Sequence, residues 1–535
     1  MAKILFVNPV VRAEDSPRHV PYGIAMLAAI AIRAGHKVQV YDHNAWRLGD
    51  DVLKDVMQAD DWDVIAAGGI TTAYCSLKAI FKAAKAYAPS TVTVLGGGVL
   101  TSMPHDIMRF LPEVDFGVVG EAYVTFPELL SAIDNKCNSY DDVDGLIVRR
   151  GRDTYLTRAR SLIQDLDRLP YPAWELFPLE EVYFPNSSVA LSEESLTATR
   201  RLDVNTSYGC SLICRFCFHL GIAGDMSYVT AEGEKTDVAF DLPGLHPRTI
   251  RYHSPRYIVD MIHYMVDRFK VNFVSFLDEN LMTMDQFSKR TWLDSICDLW
   301  MEEGLQPECR HKGVAHDENC KTGVHWGGTS HATLCNERIL KKMAAAGCSY
   351  LDYGWESFSP RILKTVGKGA TPENNIRSYL WTMRAGIRPI PNQMVGFPSE
   401  DFESIRASMR AWHELGIVCK PFFVTPYPGC EWYSVYKDKI LEQYDGDLER
   451  FVSDLGDATD VSASISENFN AVELYGLREL MIRGEFDKLD KFEAEWRHLK
   501  GDPQAGIDRA MARHRCKSTH GSTPAETSLS LSAVE

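Results

Sequence analysis

The chain has 535 residues, 45% apolar and 24% charged, so two or three domains are expected and core size is not limiting. A net charge of −16 argues against unassisted binding to nucleic acid or to an anionic membrane surface. No run reaches the roughly eighteen apolar residues of a membrane span. The thirteen cysteines, in a chain whose first residues read as a strand and not a signal peptide, point to a reducing compartment, the cytoplasm.

Strands and helices alternate over residues 1 to 135. Apolar, β-rich runs at Lys3 to Val7, Val38 to Tyr41, Val64 to Ala67, Val92 to Leu95 and Phe116 to Val119 predict five strands. Helical patterns at Ile24 to Ala34 and Ser76 to Tyr87 lie between them. The alternation predicts a doubly wound, Rossmann-like parallel sheet, whose ligands bind beyond the carboxyl ends of the strands. Glycines there let a ligand approach the backbone. The candidates are Gly68, Gly69, Thr71, Thr72, Gly96, Gly97 and Gly98, with Gly120 and Glu121 after the fifth strand. Taken alone, these are as readily turn residues. No G-x-G-x-x-G follows the first strand, so a dinucleotide is poorly supported.

Residues 136 to 195 read as a connector. Gly145 to Thr157 predicts a short hairpin, Leu169 to Trp174 is stiffened by its prolines, and Ser187 to Thr199 reads as a surface loop. From 196 to 430, polar strand ends recur: Arg201 to Asn205, Asn272 to Leu277 with Asp278, Glu279 and Asn280 after it, Val324 to Gly328, Tyr350 to Ser357, Ile387 to Phe397 and Pro421 to Val424. Such units predict a partial, roughly six-stranded (β/α) barrel with its site at the carboxyl ends of the strands. Residues 222 to 251 read as a long loop near a substrate, and Met284 to Gly304 as one helix. Residues 431 to 515 are helical, with a charged, amphipathic region from Ala471 to Arg497 that packs on the barrel and covers the site. Residues 516 to 535 have little to bury and predict disorder.

The sharpest signal is Cys210, Cys214 and Cys217 in Cys-Ser-Leu-Ile-Cys-Arg-Phe-Cys, directly after the first barrel strand. Three thiolates at this spacing can hold three irons of a cubane cluster and leave the fourth open. Phe216 and Phe218 would shield it. Buried or redox cysteines, or a zinc site, are the alternatives. A zinc site usually wants paired Cys-x2-Cys units and a fourth ligand.

The cysteine run resembles that of the radical S-adenosylmethionine (SAM) enzymes. The chain order over residues 1 to 430 resembles the subgroup with a cobalamin-binding domain ahead of the radical domain. Pro21 to Gly23, Gly96 to Gly98 and Val119 to Glu121 match segments of that subgroup. The resemblance implies cobalamin at the glycine candidates above, and a [4Fe-4S] cluster on the three cysteines. It implies SAM against Phe216, Asp278, Glu356 and Ser357. The Asp-x-His-x-x-Gly pattern of many cobalamin proteins is absent, since Asp42 and His43 are adjacent and follow another strand. Cobalamin bound base-off, without a histidine below cobalt, is therefore expected.

The activity implied is methyl transfer. A radical derived from SAM takes a hydrogen from the substrate, and methylcobalamin then supplies the methyl group. Chain order and the Cys217 to His219 run look most like the P-methyltransferases of phosphinothricin-type antibiotic pathways. That likeness implies an H-phosphinate substrate such as N-acetyldemethylphosphinothricin. Arg215, His219, Arg251 and His311 are candidates to bind such an anion. Methylation of an unactivated carbon, a radical cyclase and a cobalamin-binding redox sensor are the alternatives. An external flavodoxin- or ferredoxin-like reductant and a monomeric chain are expected. The segment Cys309, His311, His316, Cys320, His325, His331, Cys335 is dense in metal-ligating side chains, yet has no Cys-x2-Cys pair. A loop lining the substrate cavity is the preferred reading, with zinc or a second cluster as the other.

Overall fold

A computed structural model describes residues 1–212, 214–218, 250–316, 320 and 322–501, with the strand backbones 227–229 and 235–237. The first sheet comprises β1 (Lys3–Asn8), β2 (Lys37–Asp42), β3 (Val64–Gly68), β4 (Val92–Gly96), β5 (Phe116–Val118), β6 (Leu146–Arg150) and β7 (Asp153–Leu156), in the order β2-β1-β3-β4-β5-β6-β7. The first five strands are parallel. This 2-1-3-4-5 order places its topological switch, and so its ligand crevice, beyond β1 and β3. The predicted hairpin is β6 and β7. It does not stand apart in the connector: β6 pairs antiparallel with β5 and buries Leu146, Ile147 and Val148. It thereby closes an edge that β5 would leave open.

The second half begins with β8 (Arg201–Val204) and β9 (Ser207–Tyr208). The hairpin β10 (Ser227–Val229) and β11 (Lys235–Asp237) follows, then β12 (Arg251–Tyr252), which pairs with β9. Then come β13 (Phe273–Phe276), β14 (His325–Ser330), β15 (Cys348–Glu356), β16 (Arg388–Val395) and β17 (Phe422–Phe423). Six of these form a parallel sheet in the order β17-β16-β15-β14-β13-β8, the partial barrel expected. All six carboxyl ends share one mouth. Most of the 222 to 251 loop, and the 516 to 535 tail, lie outside the described residues.

Three expectations need correction. The helix expected from Met284 to Gly304 is two, Leu281–Phe287 and Trp292–Glu302. Lys289 and Arg290 take positive φ between them, while the Asp285 carboxylate and the Ser288 hydroxyl accept the Leu293 and Trp292 N–H groups that start the second helix. The Ser187 to Thr199 stretch is a surface segment only in part: Ser188, Ala190, Glu193, Leu196, Thr197 and Thr199 are exposed, but the rest is anchored and one turn is helical. Ser187, Ser192 and Ser195 are buried, Ser192 donates to Ser349 at 3.0 Å, and a capping box starts the helix Glu193–Leu196. The Ala471 to Arg497 region breaks at Gly484, left-handed at φ +64°, into Ala471–Arg483 and Phe486–Gly501. The latter packs Phe492 and Trp496 on Phe402, the first residue of the outer helix Phe402–Leu415.

The chain also returns to the first domain. Helices Glu431–Val435, Lys437–Gln443 and Leu448–Asp454 follow the barrel. Tyr74 donates to Glu449 at 2.7 Å, and Tyr433 meets Met103 Sδ at 3.2 Å. No helix among the described residues is long and apolar enough to cross a membrane.

Candidate active site

The cysteine loop leaves β9 at the mouth of the barrel, where Cys210 and Cys214 are buried and Cys217 is half-buried. The thiols crowd one another. Burial first, then Cys214, Glu279 and Cys210, pushes the Cys217 thiol well above its ordinary range. Bound metal is the state that ionises such thiols, so the set fits an iron cluster.

Around that loop, three strands of the barrel present, at or near their carboxyl ends, buried polar atoms without a hydrogen-bond partner among the described residues. They are both amide atoms of Asn280 after β13, Ser330 Oγ and His331 Nε2 at the end of β14, and both amide atoms of Gln393 on β16. Buried groups of this kind cost about 1–3 kcal/mol each unless a ligand or water satisfies them. Glu356 ends β15 in a left-handed conformation at φ +59° and accepts from the buried Lys368 ammonium at 2.6 Å. Lys368 also donates to Gly354 O at 2.6 Å. Burial pulls its pKa down, but Glu356 and the thiols of Cys214 and Cys217 outweigh this and leave it raised. A cation, a carboxylate and unpaired amides beside three thiols are a donor set fit for an amino acid bound at a cluster, as in SAM. Lys368 and Gln393 were not singled out in the sequence; Asn280 was placed at a strand end of the mouth and His331 in the cavity-lining segment, neither with a role at SAM.

Two of the expected SAM contacts are otherwise engaged. The Asp278 carboxylate accepts from Thr206 N at 3.2 Å, Thr206 Oγ1 at 2.8 Å and the Ser207 hydroxyl. It holds the strand that leads into the cysteine loop. Burial outweighs those hydrogen bonds and lifts its pKa to about 6. The Ser357 hydroxyl accepts from Ser359 N at 3.1 Å and so shapes the turn after β15. Phe216 packs on Trp432 with ring centroids 6.0 Å apart.

The substrate candidates scatter. Arg215 lies by the cysteine loop, 3.7 Å from the buried Glu431. Arg251 is buried against Glu121 at 2.6 Å and donates to Ile163 O at 2.7 Å, so its charge ties two parts of the chain together. Glu121, expected at cobalamin, is the other half of that tie and also accepts from Ile163 N at 2.8 Å. His311 is exposed on the short helix Glu308–Lys312. That helix packs near the amino end of β14, at the opposite end of the barrel from the cysteines. His219 lies outside the described residues. The expected cavity-lining segment thus divides: His325 starts β14 at the far end, while His331 follows β14 at the mouth. Burial, then Lys368, lowers the His331 pKa to about 2, so it is a neutral hydrogen-bonding group and not an anion-binding cation.

The expected cobalamin residues line the carboxyl edge of the first sheet. Gly97 has φ +88°, and a Cβ there would stand 2.6 Å from Gly69 O; one on Gly68 would stand 2.9 Å from Gly96 O. Only glycines let these two loops touch. Gly120 N donates to Thr101 at 3.0 Å, and Thr71 is buried. Thr72 Oγ1 is buried without a partner among the described residues, and Ile70 beside it is exposed. A close backbone ledge, one unpaired hydroxyl and an apolar rim suit a corrin ring with polar side arms. Asp42 accepts from Asn8 at 2.7 Å and Tyr183 at 2.5 Å, and caps the helix His43–Trp46. It is therefore not available to orient a cobalt-binding histidine.

The two mouths meet. A Cβ on Gly98 would lie 3.2 Å from the Phe218 ring of the cysteine loop. Tyr22 donates to Asn205 O at 3.1 Å, His19 pairs with the buried Asp203 at 2.7 Å, and the Tyr123 and Tyr208 hydroxyls touch.

Comparison with known proteins agrees with this division. Residues 9–130 match the B12 binding domain family and residues 204–411 the radical SAM superfamily. An uncharacterised methyltransferase of Pyrococcus horikoshii is 25% identical over 424 residues, covering 79% of this chain and 80% of that one. The anaerobic magnesium-protoporphyrin IX monomethyl ester cyclase of Rubrivivax gelatinosus is 24% identical, over 84% and 73% of the two chains. The radical SAM methyltransferase TsrM from Kitasatospora setae shares the fold, with a TM-score of 0.59 at 15% identity over 82% and 77% of the chains. Cobalamin, SAM and a [4Fe-4S] cluster are the cofactors that this pair of domains carries.

Proposed function

We infer that the chain is a cobalamin-dependent radical SAM methyltransferase, and we propose that it methylates the phosphorus of an H-phosphinate. The observation that carries methyl transfer between two cofactors is the contact of Phe218 with Gly98, which sets the cysteine loop against the glycine ledge of the B12 domain. When bound, SAM at the cluster supplies the radical that activates the substrate, and methylcobalamin supplies the methyl group.

The chain's own residues do the rest. Cys210, Cys214 and Cys217 hold the cluster. Lys368 and Glu356 offer a cation and a carboxylate to the charged ends of SAM's methionine, and Asn280, Gln393 and His331 offer hydrogen bonds. Asp278 keeps the approach to the cysteine loop fixed through Thr206 and Ser207. Phe216 and Phe218 exclude water. The phosphinate reading is supported by the likeness of Cys217 to His219 to the P-methyltransferases. The base-off cobalamin reading is supported by the engagement of Asp42. We further propose a monomer fed by an external one-electron reductant.

The test is an anaerobic assay of the reconstituted protein with SAM, methylcobalamin, a reductant and an H-phosphinate, followed by mass spectrometry. 5′-Deoxyadenosine, S-adenosylhomocysteine and a methylated phosphinate are expected together. Deoxyadenosine without methyl transfer to any offered acceptor would favour a cyclase. Neither product, from protein with intact cluster and cobalamin, would mark a sensor.

A further inference from the structure

Four side chains of the Cys- and His-rich stretch before and along β14 converge. The ligand atoms of Cys309, His316, Cys320 and His325 all lie within 4.8 Å of one another. Cys309 Sγ is 3.6 Å from His325 Nε2 and 3.9 Å from His316 Nδ1. A tetrahedral zinc with ordinary bond lengths separates a sulfur from a nitrogen by about 3.6 Å, so these gaps are those of a zinc site's edges. The two imidazoles stand edge to face, with centroids 4.9 Å apart at 82°. Both cysteines are free thiols.

We propose that Cys309, His316, Cys320 and His325 bind one structural zinc ion. The sulfur and nitrogen pair of each kind suits zinc, whereas a cluster needs more thiolates. Four protein ligands leave no open position, so the metal is structural and not catalytic. The surroundings support the ligand set. Thr197 Oγ1 lies 2.9 Å from His316 Nε2, which leaves the Nδ1 edge of that ring toward Cys309. Cys309 N donates to Cys320 Sγ at 3.3 Å, a backbone bond that stabilises a thiolate. Such outer partners fix ring orientation and strengthen metal binding.

Location gives the role. His325 is the first residue of β14 and pairs with Phe273, the first of β13. The site is therefore at the amino end of the barrel, a strand's length from the cysteine loop, where residues serve stability and not chemistry. It would pin the loop after the helix Glu308–Lys312 to the barrel floor, next to the helix Glu193–Leu196 and its C-cap Thr197. The sequence has no Cys-x2-Cys pair here because the ligands come from a helix, a loop and a strand, not from one knuckle.

The test is elemental analysis of the full chain, produced with zinc present and purified anaerobically without added metal. About one zinc per chain is expected beyond the cluster iron. His316→Ala and Cys320→Ser, both in the loop, should each lose most of that zinc while keeping the iron and the cluster's visible absorption. Should either variant lose iron as well, cobalt(II) added to the zinc-stripped wild type decides: thiolate-to-cobalt charge-transfer bands of a tetrahedral site are expected, and their absence overturns the proposal. Wild type without zinc, zinc kept in both variants, iron in its place, or a Cys309–Cys320 disulfide found by thiol alkylation also overturns it. None of these readouts depends on methyl transfer.

Discussion

Lys368 and Glu356 form a buried ion pair beside the cysteine loop, with both side chains less than a tenth exposed. Removing one partner of such a pair leaves a bare buried charge, which costs about 3 kcal/mol or more. Lys368→Met should therefore lower stability by about 3 kcal/mol and abolish SAM cleavage. Adding Glu356→Gln should restore most of the stability but not the cleavage. Thermal unfolding and 5′-deoxyadenosine release check the two halves, and cleavage by the double variant would reduce the pair to a structural one. Cys217→Ala should likewise end SAM cleavage while leaving cobalamin binding largely intact, as measured by retained cobalamin absorbance. The three cysteines were legible because their chemistry lies in local spacing. Lys368 was not, because no motif surrounds it and only the fold brings it to Cys214. Asp278 and Asn280 show the same limit two residues apart. Both follow one strand, but Asp278 is satisfied by Thr206 and Ser207 while the Asn280 amide has no partner among the described residues. Partners 72 residues away in sequence decide which of the two carries an open polar group.

Strand ends carry both sites, and their loops can be probed element by element. Gly97→Ala puts a Cβ against Gly69 O in a backbone conformation that alanine strains to hold, at a cost of about 1–3 kcal/mol. It should weaken cobalamin binding in an absorbance titration. Gly98→Ala meets only the Phe218 ring, which can shift, and should bind nearly as wild type. After β16, Glu400 accepts from Gly396 N and Phe397 N, yet burial outweighs both bonds and lifts its pKa to about 8 from an ordinary 4.5. The folded chain then holds a proton that the unfolded chain releases, so stability is full below the ordinary value and falls as pH rises through about 8. Glu400→Gln should flatten the decline in melting temperature between about pH 5 and about pH 9. An unchanged slope would show that Glu400 does not titrate there. The strands themselves were legible from period and composition. The break at Lys289 and Arg290 was not, because the helical pattern runs through it and the Asp285 and Ser288 caps act only once the turn has formed.

At the scale of the whole molecule, the chemistry needs two cofactor sites held face to face, and the order of the domains in sequence says nothing of how they meet. The structure supplies several ties, of which Arg251 with Glu121 is the most deeply buried ion pair. Arg251 was expected to hold substrate because it is a cation in a loop-rich stretch. Its partner comes from 130 residues earlier, in the first domain, which sequence proximity cannot show. Arg251→Leu should lower the melting temperature, by the equivalent of about 3 kcal/mol, and loosen the two halves. Deoxyadenosine should still form while methylated product falls, so the ratio of the two rises. Glu121→Gln separates this role from substrate binding. If the pair is a tie between domains, Glu121→Gln uncouples SAM cleavage from methyl transfer as Arg251→Leu does. If Arg251 serves the substrate, Glu121→Gln leaves the ratio at the wild-type value. Joint replacement of both by leucine fills the interface with apolar atoms and should recover stability. Whether it also recovers coupling tells whether packing alone, or the directed hydrogen bonds to Glu121 and Ile163, keeps the two mouths aligned.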